Sequence, residues 1–231
     1  MVKKRITRKK LLKEPDEFIT ATGKMIRFVN KYKIQVLCAF GIFFAVIIII
    51  SGIRYFSDRA ENKAFFLLEQ GIAKYENIME KNGFDQAYDD VKNDFKLILE
   101  KYSGKNGGKL ARIIYANICY NAGDFDEAIV LYGKALEDFD ANQSLKNLTL
   151  SCLGHSYGEK KDYQAAIKYF EMIVSGTESI MKDEALFNLG WLYGETGKLD
   201  KSVNAYKKII SEFTDSVYYK LVKEKVGGYQ Q

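Results

Sequence analysis

The longest uninterrupted apolar stretch of the chain lies near its N-terminus, at residues 34–53, and reads IQVLCAFGIFFAVIIIISGI. It holds no charged residue, and as an α-helix it is about 30 Å long, which matches the hydrocarbon core of a bilayer. A cleaved signal peptide is the alternative, but its apolar part usually spans only about 7–15 residues and ends in a small-x-small site, which this stretch lacks. The pattern therefore predicts an uncleaved, single transmembrane helix.

Beyond this stretch, apolar residues recur with the spacing of amphipathic helices. One stripe runs from Ala64 to Ile78, and a second lies between Phe84 and Tyr102. The 231 residues contain a single proline, Pro15, so the chain offers few positions that break a helix. We therefore predict an all-α fold, in which one transmembrane helix precedes a helical domain.

From residue 109 onward the helical pattern repeats. Ala116, Gly154 and Gly190 are spaced 38 and 36 residues apart. Small residues on consecutive helices let two backbones approach closely, and the short turns at 123–124, 161–162 and 197–198 require antiparallel neighbours. The spacing therefore predicts stacked helical hairpins. Each of the three small residues is followed by a second small one (Ala128, Ala166, Ser202) and then by an aromatic one (Tyr132, Phe170, Tyr206).

These patterns divide the chain into five segments. A solenoid of helical hairpins needs a terminal helix that covers its last apolar face. The predicted segments are a basic segment at 1–33, the transmembrane helix at 34–53, a degenerate hairpin or first repeat at 54–108, three repeats at 109–216, and a capping helix with a tail at 217–231.

The charge is distributed unevenly between the two ends of the chain. The net charge is +5 overall, yet residues 1–33 alone contain eleven basic and three acidic residues, so the remainder is mildly acidic. A nucleic-acid-binding domain would concentrate its basic excess on the folded part, so nucleic acid is not an expected partner. The positive-inside rule predicts that residues 1–33 lie in the cytoplasm and residues 54–231 on the other side of the membrane.

Residues 16–33 are predicted to form a juxtamembrane helix that begins after Pro15. Its apolar residues, which include Met25 and Val29, fall on one rough stripe. The basic residues of this segment serve either as a topology determinant or as a contact to anionic lipid or to the ribosome; the first role is favoured, because the positive-inside rule already requires them.

The repeat resembles the tetratricopeptide repeat over residues 109–216. The Leu-Gly-x-x-Tyr signature of that family is present at Leu153, Gly154 and Tyr157 and again from Leu189 to Tyr193. The resemblance implies a right-handed superhelix of hairpins that binds proteins on its concave face. Four residues depart from the family pattern, namely Arg112, Cys119, Lys161 and Ser202.

The family's groove positions, transferred to this sequence, imply a binding surface on the first helix of each hairpin. Phe187 and Trp191 share one helix face and are the expected anchors, although the same stripe would serve equally to pack on the next helix. The implied protein-binding groove comprises Leu110, Ile113, Asn117, Tyr120, Asn121, Leu148, Ser151, His155, Glu159, Glu184, Phe187, Trp191 and Glu195.

The whole plan also resembles the YfgM-type ancillary subunit of the bacterial Sec translocon. This resemblance implies a single-pass protein of the bacterial inner membrane, with a cytoplasmic N-terminus and a periplasmic interaction domain that assists translocon-linked chaperoning or envelope protein assembly. Translocon subunits, periplasmic chaperones and client segments are the implied partners, and no small-molecule substrate or cofactor is expected. A scaffold for another envelope machine, in division or secretion, is the alternative.

An enzyme built on Cys152 and His155 is a less favoured hypothesis. The two residues lie three apart on one helix, as a nucleophile and its base would, but no third residue is identifiable that would orient them. His155 is the only histidine, so an ordinary histidine-rich zinc site is excluded and no metal is expected. Cys119 and Cys152 either form a disulfide or remain two buried thiols, and the thiols are favoured.

Overall fold

A computed structural model describes the backbone of residues 17–228 and the side chains of residues 21–227. All regular structure in this part of the chain is α-helical, which confirms the predicted all-α class. The basic cluster of residues 1–16, with Pro15, and the tail at 229–231 lie outside the described residues. The helices are α1 (Glu17–Lys31), α2 (Lys33–Asn82), α3 (Phe84–Tyr102), α4 (Asn106–Asn121), α5 (Phe125–Asp138), α6 (Gln143–Glu159), α7 (Tyr163–Ser175), α8 (Lys182–Glu195), α9 (Leu199–Glu212) and α10 (Tyr219–Gly228).

The chain separates into two compact units at Asp58 and Arg59. The first unit contains α1 and the beginning of α2, whose apolar window has none of its residues buried. By length and composition α2 qualifies as a membrane span, although signal sequences near an N-terminus meet the same test. The helix continues without a break to Asn82, because the sequence between the apolar stretch and that residue offers no proline to end it.

In the second unit, each helix from α3 onward packs on the next one along the chain, and α2 contacts α3 where the ring of Phe95 lies beside Gly71. The buried apolar residues form two clusters. The first cluster extends from Leu68 on α2 to Leu153 on α6, and the second from Leu150 on α6 to Val226 on α10. The last helix therefore covers the end of the second cluster, with Val222 fully buried.

The turns within the three hairpins share one backbone conformation. Gly123, Lys161 and Gly197 occupy equivalent positions and all have positive φ, at 79°, 60° and 73°. In the first two hairpins, the aspartate that follows caps the next helix: a carboxylate oxygen of Asp124 accepts from the backbone N–H of Glu127, and Asp162 acts in the same way. Glycine therefore suits this turn position because it adopts positive φ without steric strain, whereas Lys161 adopts the same φ at a cost in free energy.

The predicted close crossing of small residues and aromatic rings is present in the structure. A β-carbon on Gly190 would lie only 2.3 Å from Cε1 of Tyr206, so the ring rests directly on the helix backbone. Ser202, which departs from the family's alanine, donates its hydroxyl to the carbonyl of Gly190 at 2.6 Å. The serine therefore fits a buried position because its polar group has a partner at this crossing.

Two other unusual positions have local explanations. The guanidinium of Arg112 pairs with the carboxylate of Asp138 on the adjacent helix, which lets a charged residue occupy a half-buried site. At the start of α4, the backbone N–H of Gly107 donates to Glu61 on α2 at 2.9 Å. A side chain on Gly107 would meet the α2 backbone at 2.8 Å, so this glycine allows the two helices to touch.

Candidate functional site

Three side chains at equivalent repeat positions line two adjoining cavities. Asn117, His155 and Trp191 lie on α4, α6 and α8, which are the first helices of the three hairpins. His155 lines two cavities at once: one of about 170 Å³ that it shares with Asn117, and one of about 230 Å³ that it shares with Trp191. The repeat therefore places these three residues side by side, and we call this row the groove floor.

The larger cavity has aromatic walls. Trp191 is 44% exposed, and its ring meets the ring of Tyr163 edge to face at a centroid distance of 5.8 Å. Phe170 and Asn188 complete this side of the cavity. Trp191 is therefore a surface residue with a supported orientation rather than a core residue.

A charged residue of the next hairpin holds His155 in place. The Nε2 atom of His155 lies 3.3 Å from a carboxylate oxygen of Glu184, and the same oxygen accepts a hydrogen bond from the Ser151 hydroxyl at 2.9 Å. These contacts, above all the one from His155, lower the pKa of Glu184 although partial burial acts in the opposite direction. Glu184 therefore remains a carboxylate at the edge of the groove.

Three predicted groove residues are not freely accessible. Ile113 and Ser151 are buried, with 6% and 3% of their surface exposed, and Ser151 uses its hydroxyl to bind Glu184. Phe187 is half-buried, since its ring stacks on Tyr218 at 4.4 Å, just before the capping helix. Contacts to the following elements therefore occupy Ser151 and Phe187, and Ile113 has little surface left for a partner.

The remaining predicted groove residues keep accessible surface. They lie above and below the groove floor, on the same three helices. Leu110, Tyr120 and Glu184 are half-buried, whereas Leu148, Asn121, Glu159 and Glu195 are exposed.

Tyr163 and Asn188 line the larger cavity but were not predicted from the sequence. A signal for Tyr163 is present in the repeat, because the first residue after each hairpin turn is apolar or aromatic: Phe125, Tyr163 and Leu199. Phe125 makes a similar contact, with its ring 5.4 Å from that of Tyr120. This position therefore carries an aromatic residue in two of the three hairpins, and in the second hairpin that residue lines the larger cavity.

The geometry does not pair Cys152 with His155 for catalysis. Burial raises the pKa of the Cys152 thiol, while its polar neighbour is the Tyr132 hydroxyl, and the imidazole Nε2 is directed at Glu184. A thiol held protonated is a poor nucleophile. Cys119 and Cys152 are free thiols, and within residues 21–227 no group of three or more His, Cys, Asp or Glu side chains is placed to hold a metal ion.

Comparison with solved structures places the helical hairpins among known repeat folds. The chain is similar to a tetratricopeptide repeat protein from Parabacteroides merdae ATCC 43184, with a TM-score of 0.54, 20% identity, and coverage of 71% of this chain and 61% of that one. It is similar to BtubC (BKLC) from P. vanneervenii, with a TM-score of 0.57, 13% identity and 78% coverage of both chains. For a MamA RS-1 ArsTM double mutant the TM-score is 0.50 at 16% identity, with 66% and 79% coverage. These likenesses show the fold.

The family follows from the sequence itself. No curated protein sequence matches the chain significantly. The sequence profile of the tetratricopeptide repeat-like domain, however, matches residues 27–229, which is most of the chain. The chain therefore belongs to the tetratricopeptide repeat-like domain family.

Proposed function

We propose that the protein is a membrane-anchored protein-interaction module whose groove binds a segment of a partner protein. The observation that carries this proposal is Trp191, an exposed tryptophan that lines a cavity with aromatic walls in a repeat fold. Buried anchors at protein interfaces are enriched in tryptophan, and an open ring beside a cavity of about 230 Å³ is suited to pack against an inserted side chain.

The charges around the groove favour a particular partner chemistry. Glu159 lines the aromatic cavity, Glu184 contacts His155 on its wall, and Glu195 lies one helical turn beyond Trp191. Lys161 is the basic residue of the cavity lining. Within the lining, Glu159 and Lys161 balance each other, and Glu184 and Glu195 beside it add negative charge, so the groove is complementary to a segment that carries lysine or arginine beside an apolar or aromatic residue.

The membrane anchor is the apolar first part of α2. Its length, its composition and the lack of any buried residue in its apolar window support a helix that is solvated by lipid. The basic excess at the N-terminus supports a cytoplasmic location for that end, and hence a location across the membrane for the groove. In a bacterium, this arrangement corresponds to the inner membrane and the periplasm.

The resemblance to the YfgM-type subunit supports a role beside the Sec translocon, in chaperoning or in envelope protein assembly. Translocon subunits, periplasmic chaperones and client segments are then the partners of the groove. A scaffold of a division or secretion machine is the second candidate, because the same groove and anchor would serve it equally well. In both proposed roles the protein acts by binding a partner and does not catalyse a reaction.

Site-specific photocrosslinking in intact cells tests this proposal. A photoreactive amino acid replaces Trp191 in one variant and Met172 in the control, since Met172 is 40% exposed on α7 and absent from the groove lining. We expect position 191 alone to capture a defined partner, and a translocon subunit or a periplasmic chaperone would support the leading role. Capture of division or secretion components would favour the second candidate. Equal capture at both positions would contradict a binding groove.

A reporter fused after Gln231 tests the orientation separately. Activity of a reporter that functions only in the periplasm is expected, because the basic N-terminus should remain in the cytoplasm. Activity of a reporter that functions only in the cytoplasm would overturn the orientation and the periplasmic role.

A further inference from the structure

The helix α1, Glu17–Lys31, has an apolar side that is largely exposed in the structure. Met25, Ile26 and Phe28 are 69%, 61% and 58% exposed, and Val29 and Tyr32 are about one-third exposed. The Phe28 and Tyr32 rings contact each other at 5.0 Å, so they form one apolar surface rather than separate side chains. An exposed surface of this kind requires an apolar environment to cover it.

The opposite side of the same helix is basic. At about 100° per residue, Lys24, Arg27 and Lys31 fall within about 60° of one another around the helix axis, on the side away from Val29. The Lys31 ammonium reaches the border of the apolar side, where it lies 5.2 Å from the centre of the Tyr32 ring. The guanidinium of Arg27 is held along the helix by its hydrogen bond to the carbonyl of Gly23 at 3.1 Å. The helix therefore divides lengthwise into an apolar half and a cationic half.

The position of α1 in the chain links it to the apolar stretch. Only Tyr32 separates α1 from α2, and it bends the chain without ending the hydrogen bonding, since its N–H donates to Phe28 and its carbonyl accepts from Val36. The apolar stretch at 34–53 begins two residues after Tyr32. A helix this close to a membrane span cannot lie far from the surface of the bilayer.

We propose that α1 lies in the membrane interface and binds the anionic lipid surface of the bilayer that α2 enters. This inference rests on the proposed membrane anchor. The apolar half would enter the boundary between headgroups and acyl chains, while the three cations contact lipid phosphates. A bilayer is a better match to α1 than a protein partner. Its acyl chains suit the apolar side, its anionic headgroups suit the cations, and the adjacent span already brings the helix to its surface.

Tryptophan fluorescence of the full-length protein in lipid vesicles tests the proposal. Trp191 is the only tryptophan, so a Trp191→Phe background is free of other indole signals. A tryptophan is then placed at Met25 on the apolar side, at Asn30 about 140° away around the helix, or at Ile48 inside the apolar stretch. Lipids brominated at shallow or deep acyl positions quench each indole according to its depth.

With phosphatidylglycerol in the vesicles, shallow bromines should quench the Met25→Trp variant at least about threefold more than the Asn30→Trp variant. Adding Lys24→Gln, Arg27→Gln and Lys31→Gln should remove this difference, whereas the same changes at Lys207, Lys208 and Lys220 should not. The contrast should also shrink in vesicles of phosphatidylcholine alone.

Each negative result contradicts a different part of the proposal. Equal quenching at positions 25 and 30, with Ile48→Trp quenched by deep bromines, would overturn the interfacial helix and leave the anchor intact. A contrast that is insensitive to lipid charge and to the three glutamine substitutions would overturn anionic-lipid binding. An Ile48→Trp variant that no brominated lipid quenches would overturn the anchor and this inference together.

Discussion

Gly154 on α6 lies directly beneath the ring of Phe170 on α7. A β-carbon on Gly154 would be 2.6 Å from Cε2 of that ring, and only 2% of the surface of Phe170 is exposed. His155, the next residue, meets the same ring edge to face at 5.2 Å. The contact that closes the second hairpin therefore also supports the groove floor.

The change Gly154→Ala should destabilise the fold by about 1–3 kcal/mol, because the added methyl group overpacks a crossing that has no room for it. Gly158 is a matched control one turn further along α6, where a β-carbon would meet nothing within 4 Å. There, alanine should stabilise by up to about 1 kcal/mol through helix propensity. Urea unfolding measures both. Similar unfolding free energies for the two variants would contradict the close crossing.

Replacing the turn residue Lys161 with glycine should stabilise the fold. The φ of Lys161 is 60°, a conformation that costs a residue with a side chain about 1–2 kcal/mol. Glycine avoids this cost but loses more backbone entropy on folding, so only part of this free energy is gained. Lys161→Gly should therefore raise the unfolding free energy by about 0.5–1 kcal/mol. The neighbouring Lys160 has a φ of −73°, so Lys160→Gly should lower the unfolding free energy. A loss of stability in both variants would refute the strained turn.

The buried thiol of Cys119 should resist alkylation in the folded protein. Burial raises the pKa of Cys119 to about 12, so its thiolate fraction at pH 8 is roughly a thousandfold lower than that of an ordinary cysteine. Peptide mapping after brief maleimide treatment should find Cys119 unmodified in buffer and modified in urea. Equal labelling in the two conditions would show that this part of the core is open.

Acidification should weaken the contact between α6 and α8. The pKa of Glu184 is lowered in the folded state by its hydrogen bonds from His155 and Ser151. A carboxyl group of this kind stabilises the fold above its unfolded pKa, near 4.3, and the contribution is lost as the pH falls through the lower folded value. Wild-type protein should therefore lose more unfolding free energy between pH 6 and pH 3 than Glu184→Gln. The exposed Glu195→Gln variant should behave like wild type.

The hairpins were predictable because their determinants repeat. Small residues such as Gly154 and Gly190 recur at a fixed distance from the aromatic residues that cover them, so the sequence shows both partners of each crossing. The expectation that Asn117, His155 and Trp191 line a groove came from the family resemblance, and the three residues occupy one repeat position beside two adjoining cavities.

Three expected groove residues with little accessible surface share one repeat position. Ile113, Ser151 and Phe187 are spaced 38 and 36 residues apart, and an element further along the chain contacts two of them: Glu184 accepts from Ser151, and Tyr218 stacks on Phe187. The family's groove positions do not show this coverage, because the contacting residue differs in type from one repeat to the next. After the last hairpin the C-terminal segment takes the place of a further hairpin, so Phe187 packs on it while Trp191 stays exposed.

The affinity of a purified partner for Trp191→Ala, measured beside thermal unfolding of the same variant, tests the central claim most directly. The partner is the one captured by crosslinking at position 191, and Met172→Ala is the matched control of similar exposure. We predict a loss of about 2 kcal/mol in binding, roughly thirtyfold in Kd, with a melting temperature close to that of wild type. Unchanged affinity, or a large fall in melting temperature for Trp191→Ala alone, would contradict a binding groove built around this residue.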